Sequence, residues 1–161
     1  NAHGLDSIDE ANIDDWDAMI DSNVKGLMYV TKAVIPFMMK NKSGHIINVG
    51  SIAGKEVYPK GSVYCSSKFA VDAFTQGLRI DLLKYGIKVS AINPGLVETE
   101  FSLVRFKGDN DRAKKSLFWS KPFICRRCCR VNYLYFKYSK SRYNCRYGII
   151  IFSSSKYIYK H

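Results

Sequence analysis

The apolar positions near the start of the chain recur at helical spacing. Ile13, Trp16, Ile20, Val24, Leu27, Met28, Val34 and Ile35 return every few residues, the stripe that an amphipathic helix turns toward a core. The pattern predicts a helix over about 13–39, interrupted at Gly26 and with Pro36 near its end. Asp9 or Asn12 is placed to cap its start. Lys40, Lys42 and His45 put positive charge at its C-terminal end, as the macrodipole favours. The period then changes. His45-Ile46-Ile47-Asn48-Val49 is a β-branched run ahead of Gly50 and Ser51, a buried-strand signature. Residues 52–62 contain Gly54, Pro59 and Gly61 and read as a loop. Helical spacing resumes over about 63–85, with Phe69, Ala70, Ala73, Phe74, Leu78, Leu82 and Leu83 as its apolar side and Gly86 as C-cap. A second strand, 87–92, closes on Asn93-Pro94-Gly95, and 96–115 read as a polar loop with one helical turn.

Helix, strand, loop, helix, strand is the order of an α/β fold, a parallel sheet with helices on its faces and half of a doubly wound domain. Ligands of such sheets bind at the carboxyl ends of the strands. Ser51 and Pro94-Gly95 fall there, and Asn1-Ala2 would join them as the end of a further strand. Tyr64 and Lys68 are four apart at the start of the second long helix, so they share a face. An ammonium beside a phenol favours the phenolate, and Lys68 is expected to pull Tyr64 below its ordinary value near 10. A phenol so tuned exchanges protons near neutral pH. A lone Tyr–Lys pair at this spacing is more often a surface stack; here a hydroxyl, a phenol and a cation converge on one cleft, which suits proton transfer to a small carbonyl or alcohol.

Composition narrows the reading. At 161 residues the chain is about one domain, and its net charge of +11 invites a nucleic-acid partner. The distribution argues otherwise: residues 1–115 carry 15 Lys+Arg against 14 Asp+Glu, while 116–161 carry 10 Lys+Arg and no acid. The excess belongs to the tail, which also holds Cys125, Cys128, Cys129, Cys145 and 7 of the 11 tyrosines. No signal-peptide pattern or membrane-spanning run is present. A reducing cytoplasm is the expected compartment, and an odd cysteine count does not suggest a disulfide framework.

These motifs, in this order and spacing, resemble the short-chain dehydrogenase/reductases over residues 1–115. Asn1-Ala2 look like the end of that family's NNAG motif, and Asn23 matches the asparagine of its middle helix. Ser51 in INVGSIAG, Tyr64 and Lys68 in YCSSK, and Asn93-Pro94-Gly95 followed by Val97 and Thr99 complete the set. The run from WDAMIDSNVKGL through TEFSLVRFKGD is similar to the branch that oxidises serine, allo-threonine and related 3-hydroxy acids with NADP. The resemblance implies a Rossmann-like fold, a cofactor that is NADP or NAD with NADP favoured, and a small hydroxy acid or carbonyl as substrate. It implies Tyr64 as general acid/base, Lys68 as the cation that lowers its pKa and holds the nicotinamide ribose, and Ser51 as the donor to the substrate oxygen. Asn23 would support a proton relay to Lys68. Asn1, Ala2, Pro94, Gly95, Val97 and Thr99 would border the cofactor, and Arg105 would pair with a substrate carboxylate. A homo-oligomer is implied for the intact family member, through the two long helices and the C-terminal segment. The family's glycine-rich phosphate loop, TGxxxGxG, does not occur in the 161 residues. His3-Gly4 also departs from the family's NAG. The chain therefore reads as an N-terminally truncated fragment, expected to be inactive on its own.

The tail reads as an irregular segment, with 148–152 as its one candidate strand. Back-translated with permitted codons, residues 124–131 yield YAEDVAE one base later, and residues 144–149 yield IADME in the same shifted frame. Both resemble the family's C-terminal elements. A one-base insertion in an A-rich run near codon 115 is the expected origin, so that 116–161 is out of frame. The alternative is functional: interleaved basic and aromatic residues suit single-stranded nucleic acid, and the tail cysteines suit zinc, although their spacing fits no usual finger.

Overall fold

The computed structural model describes residues 1–95, 97–98, 100–118, 123–124 and 149–151. Helix α1 (Ile13–Ile20) begins where the Asn12 side chain accepts the Asp14 N–H at 2.9 Å, so Asn12 and not Asp9 is the cap. The helical path then widens into a π-turn over Asp21–Lys25 before continuing as α2 (Gly26–Asn41). Pro36 lies inside α2, which runs on past it. The donor that Pro36 lacks is lost on the helix's exposed side, where the freed carbonyl is open to solvent. Lys42, in the left-handed conformation, ends the helix (φ 47°).

Strands β1 (His45–Val49) and β2 (Lys88–Pro94) pair in parallel, from His45 opposite Lys88 to Val49 opposite Ile92. The crossover is right for a parallel pair: a 3₁₀ turn over Ile52–Gly54, then α3 (Ser62–Leu82), then a second 3₁₀ turn over Leu83–Tyr85. Gly86 stops it at φ 69°, where a Cβ would be strained. Beyond β2 lie a short strand β3 (Val97–Glu98), α4 (Phe101–Arg105), α5 (Asn110–Phe118) and β4 (Phe123–Ile124), which pairs in parallel with β3. The strand expected near 148–152 is β5 (Ile149–Ile151), seated in parallel on the other edge of β2 opposite Ile92–Pro94. The three-stranded sheet thus runs β1-β2-β5, and the α/β architecture expected from the element order is present.

Two expectations are corrected. The stretch 96–115 is not a polar loop with one turn. It folds into α4 and the first part of α5, because Asp109 caps α5 by accepting the N–H groups of Asp111 and Arg112 at 3.0 Å each. The buried side of α3 follows the apolar residues only in its second half, at Leu78 and Leu82. It is Tyr64, Cys65, Ser67, Lys68, Val71, Thr75, Leu78 and Leu82, whereas Phe69 is 41% and Leu83 59% exposed. The polar members of this face are satisfied internally. Thr75 donates to the Val71 carbonyl and accepts from Asn48 Nδ2 (2.7 and 2.8 Å), so burying it costs little.

The core divides in two. One cluster joins Ile46, Leu78, Leu82, Ile87 and Val89 between sheet and α3. The other joins Ala2, Met19, Ala53, Tyr64 and Cys65, with Trp16, Tyr58 and Val63 packed against it. The second cluster is the floor of the site.

Candidate active site

The strand end of β1 delivers the first group. Gly50 donates its N–H to the Ile92 carbonyl at 2.8 Å, holding the chain against β2 for one residue more. A side chain at Gly50 would collide with the Asn93 amide, which is itself buried. Ser51 follows in extended backbone and accepts the Ala53 N–H at 3.1 Å, capping the Ile52–Gly54 turn. That turn seats on α3 at Lys68. A Cβ on Gly54 would lie 2.6 Å from the Lys68 carbonyl oxygen.

α3 supplies the other two groups. Tyr64 is buried, and the Ser51 hydroxyl favours its phenolate. Lys68 is also buried; its Nζ donates to the Val49 carbonyl at 3.0 Å and sits 5.9 Å from the centre of the Tyr64 ring. Burial lowers the Lys68 ammonium below its ordinary range. The pull on Tyr64 expected from Lys68 does not decide its titration. Burial pushes the phenol up, the Tyr58 and Cys65 side chains add to that, and the Ser51 hydroxyl and the Arg105 charge oppose it. The geometry explains this: Lys68 points its ammonium at a strand carbonyl, and the guanidinium of Arg105, 5.5 Å from the Tyr64 ring centre, is the cation that acts on the phenol.

Asn23 sits in the π-turn, where the extra residue rotates its side chain inward. Its Nδ2 donates to the Asn1 carbonyl at 2.8 Å and to Ser67 Oγ at 3.0 Å, and its Oδ1 accepts from the Asn1 nitrogen at 2.6 Å. Asn23 therefore reaches the residue next to Lys68 and not Lys68 itself. Ala2 is fully buried in the cluster beneath Tyr64. Pro94 and Gly95 lie at the end of β2, beside Gly50 and Ser51, both half-buried. Val97 is placed by its backbone in β3, and Thr99 lies outside the described residues. So do Cys125, Cys128, Cys129 and Cys145, and with them the zinc and nucleic-acid alternatives for the tail.

Arg105 closes the far side. Its Nε donates to the Gly4 carbonyl at 2.7 Å and its Nη1 to the Tyr58 hydroxyl at 3.2 Å. A cleft lined by Gly4, Trp16, Lys60, Tyr64 and Arg105 opens between these groups. Sequence reading missed Tyr58, Trp16 and Ser67. For Tyr58 a signal was available: an aromatic three residues before Gly61, whose missing Cβ leaves room for the ring. Among the described residues no helix is long and apolar enough to cross a membrane, and no three His, Cys, Asp or Glu side chains gather as a metal site.

The parallel sheet, the serine at the end of β1 and the tyrosine and lysine one helical turn apart define an α/β protein with a hydroxyl, a phenol and an ammonium gathered at one strand end. Residues 1–109 match the short chain dehydrogenase family, and the chain belongs to it. It is 48% identical over 121 residues to the NADP-dependent 3-hydroxy acid dehydrogenase of Schizosaccharomyces pombe, covering 75% of this chain and 47% of that relative. A protein of the same description from Salmonella typhi is 49% identical over 116 residues, covering 71% of this chain and 47% of the relative. Among solved structures, the closed form of a serine dehydrogenase complexed with NADP+ superposes with a TM-score of 0.87 at 34% identity, over 99% of this chain and 66% of the other. The serine dehydrogenase from Escherichia coli gives 0.60 at 39% identity, over 74% and 52%. The chain spans about half the length of the curated relatives it matches.

Proposed function

We propose that the protein of which this chain carries the catalytic groups is an NADP-dependent oxidoreductase that interconverts a small hydroxy acid and its carbonyl form. The observation that carries the reading is a buried Tyr64 with the Ser51 hydroxyl acting on its phenol and Lys68 one turn further along the same helix face. The nicotinamide–ribose half of the cofactor fits the residues present. Lys68 has three N–H donors and spends one on Val49, leaving a buried ammonium with two donors unspent among the described residues. Those donors suit a ribose diol, and Pro94 and Gly95 border the same strand end. The residues for a pyrophosphate do not occur in these 161 positions, since the TGxxxGxG pattern is absent.

When bound, NADP supplies the hydride acceptor or donor. The rest is the work of this chain. Ser51 holds the substrate oxygen. Tyr64 takes the hydroxyl proton during oxidation and returns it during reduction. Arg105 is the cation that favours the phenolate, and Lys68 holds the ribose beside it. Asn23, through Ser67, supports the path by which Lys68 exchanges protons with solvent. Arg105 takes the substrate carboxylate, which favours an acid over a neutral alcohol. The free buried thiol of Cys65 suits a reducing cytoplasm. Self-association is part of the same proposal: Tyr29, Val30 and Phe37 on α2, Phe69 and Ile80 on α3 and Leu83 in the turn after it are exposed apolar side chains.

The test is hydride transfer to NADP from short 3-hydroxy acids, with the chain joined behind a segment that carries the family's phosphate loop. Tyr64→Phe should abolish turnover while leaving the fold intact. Turnover that survives this substitution removes Tyr64 from the mechanism.

A further inference from the structure

Arg105 carries a charge that no described residue neutralises. Its two hydrogen-bond partners, the Gly4 carbonyl and the Tyr58 hydroxyl, are uncharged, and the ion pairs among the described residues use other groups. The two acids that line the same cleft are already engaged, Asp15 by Lys107 at 2.9 Å and Asp6 by Arg112 at 3.2 Å. A guanidinium offers five N–H donors in a fixed fork. Two are spent, so three remain on a cation half-buried at the wall of the Tyr64 cleft.

The backbone at residue 105 is pinned as well, because the Gly4 N–H donates to the Arg105 carbonyl at 2.9 Å. What fixes the end of the side chain is Tyr58. Its ring lies where a Cβ on Gly61 would be, its carbonyl accepts the Gly61 N–H at 3.1 Å, and it packs against the cluster that contains Tyr64. The guanidinium carbon sits 5.8 Å from the Tyr58 ring centre and 5.5 Å from that of Tyr64, between two aromatic faces.

We infer that Tyr58 is a positioning residue for substrate recognition: its hydroxyl holds the Arg105 guanidinium beside Tyr64, so that a carboxylate bound there brings the neighbouring hydroxyl-bearing carbon to the phenol. The inference rests on the reading of Arg105 as the carboxylate-binding group. Tyr58 touches neither substrate nor proton. It removes the freedom of a long side chain before the ligand arrives, which is where preorganisation raises affinity.

Binding to the full 161-residue chain tests this without turnover. The probes are 3-hydroxybutyrate and the neutral 1,3-butanediol, titrated by saturation-transfer NMR. Tyr58→Phe deletes one oxygen and keeps the ring over Gly61, so the fold is retained. It should weaken 3-hydroxybutyrate about three- to tenfold, the worth of one hydrogen bond, and leave the diol unchanged. Arg105→Gln should weaken the acid further, and adding Tyr58→Phe to it should change nothing more, since the two act as one unit. If Arg105→Gln leaves acid binding intact, Arg105 is not the carboxylate group and the reading beneath the inference fails. If Arg105→Gln is effective while Tyr58→Phe is silent, or weakens acid and diol alike, the carboxylate reading stands and the role of Tyr58 is overturned.

Discussion

Gly54→Ala places one methyl group where the geometry has no room for it. The added Cβ would stand 2.6 Å from the Lys68 carbonyl oxygen, 2.9 Å from its carbonyl carbon and 3.3 Å from its Cβ, whereas ordinary contact begins at 3.4 Å. The backbone of the turn or of α3 must therefore yield by about 0.8 Å, the difference between 3.4 and 2.6 Å. Neither side yields easily. The turn is tied to the site by the Gly54 N–H to Ser51 carbonyl bond at 3.0 Å, and α3 is buried at this point. Overpacking of this kind costs about 1–3 kcal/mol. A displacement of order 1 Å between Ser51 and Lys68 can also slow a positioned reaction by about a hundredfold. Gly77→Ala is the matched control. It lies in the same helix with nothing within 4 Å of an added Cβ, so it should stabilise by about 0.4–1 kcal/mol through a less flexible unfolded chain. Urea unfolding followed by circular dichroism reads both. The midpoint should fall for Gly54→Ala and rise for Gly77→Ala. An unchanged midpoint for Gly54→Ala, or the same sign for both, would falsify the claim that the Ser51 turn rests directly on the Lys68 backbone.

Two further outcomes are expected. His45 is held below its ordinary value of 6.5 by burial and by the charge of Lys88, with its Nε2 2.9 Å from Ser90 Oγ. The unfolded chain then binds the proton more readily than the folded one, so the stability this site contributes is full above about pH 6.5 and declines as pH drops below it; His45→Gln should flatten that slope, and identical pH profiles would refute it. Ile80, 77% exposed on α3, is expected in a subunit contact, so Ile80→Lys should lower the sedimentation-determined association constant at least tenfold, while a chain that is monomeric before substitution removes the proposal.

Much of this protein is legible along the chain because its determinants are local. The β-branched run at 45–49 is β1 residue for residue, Gly86 stops its helix in a left-handed conformation that glycine adopts without strain, and Asn12 caps because a short amide reaches forward two residues. The spacing of Tyr64 and Lys68 requires only helical geometry to put them on one face. Other features have no such signature. The inward face of α3 carries Ser67, Lys68 and Thr75 beside Leu78 and Leu82, so hydrophobicity marks only its second half. Asn23 turns toward Ser67 only because the path widens into a π-turn, and nothing in DSNVK marks that. Arg105 meets Tyr58 and Gly4 across separations of 47 and 101 residues, a contact that exists only once α4 has folded back on the loop.

The electrostatics separate the two levels most sharply. That a serine, a tyrosine and a lysine belong to one cleft follows from element order and period, because both are carried by neighbours in sequence. Whether the phenol titrates high or low does not. It is set by how much water reaches Tyr64 and by which cation the fold brings against it, and both depend on long-range packing. Burial raises the phenol, Lys68 turns to Val49, and Arg105 arrives from α4. The charge that a residue carries is written in the sequence; the solvent it loses and the partner it meets are decided only when the chain closes on itself.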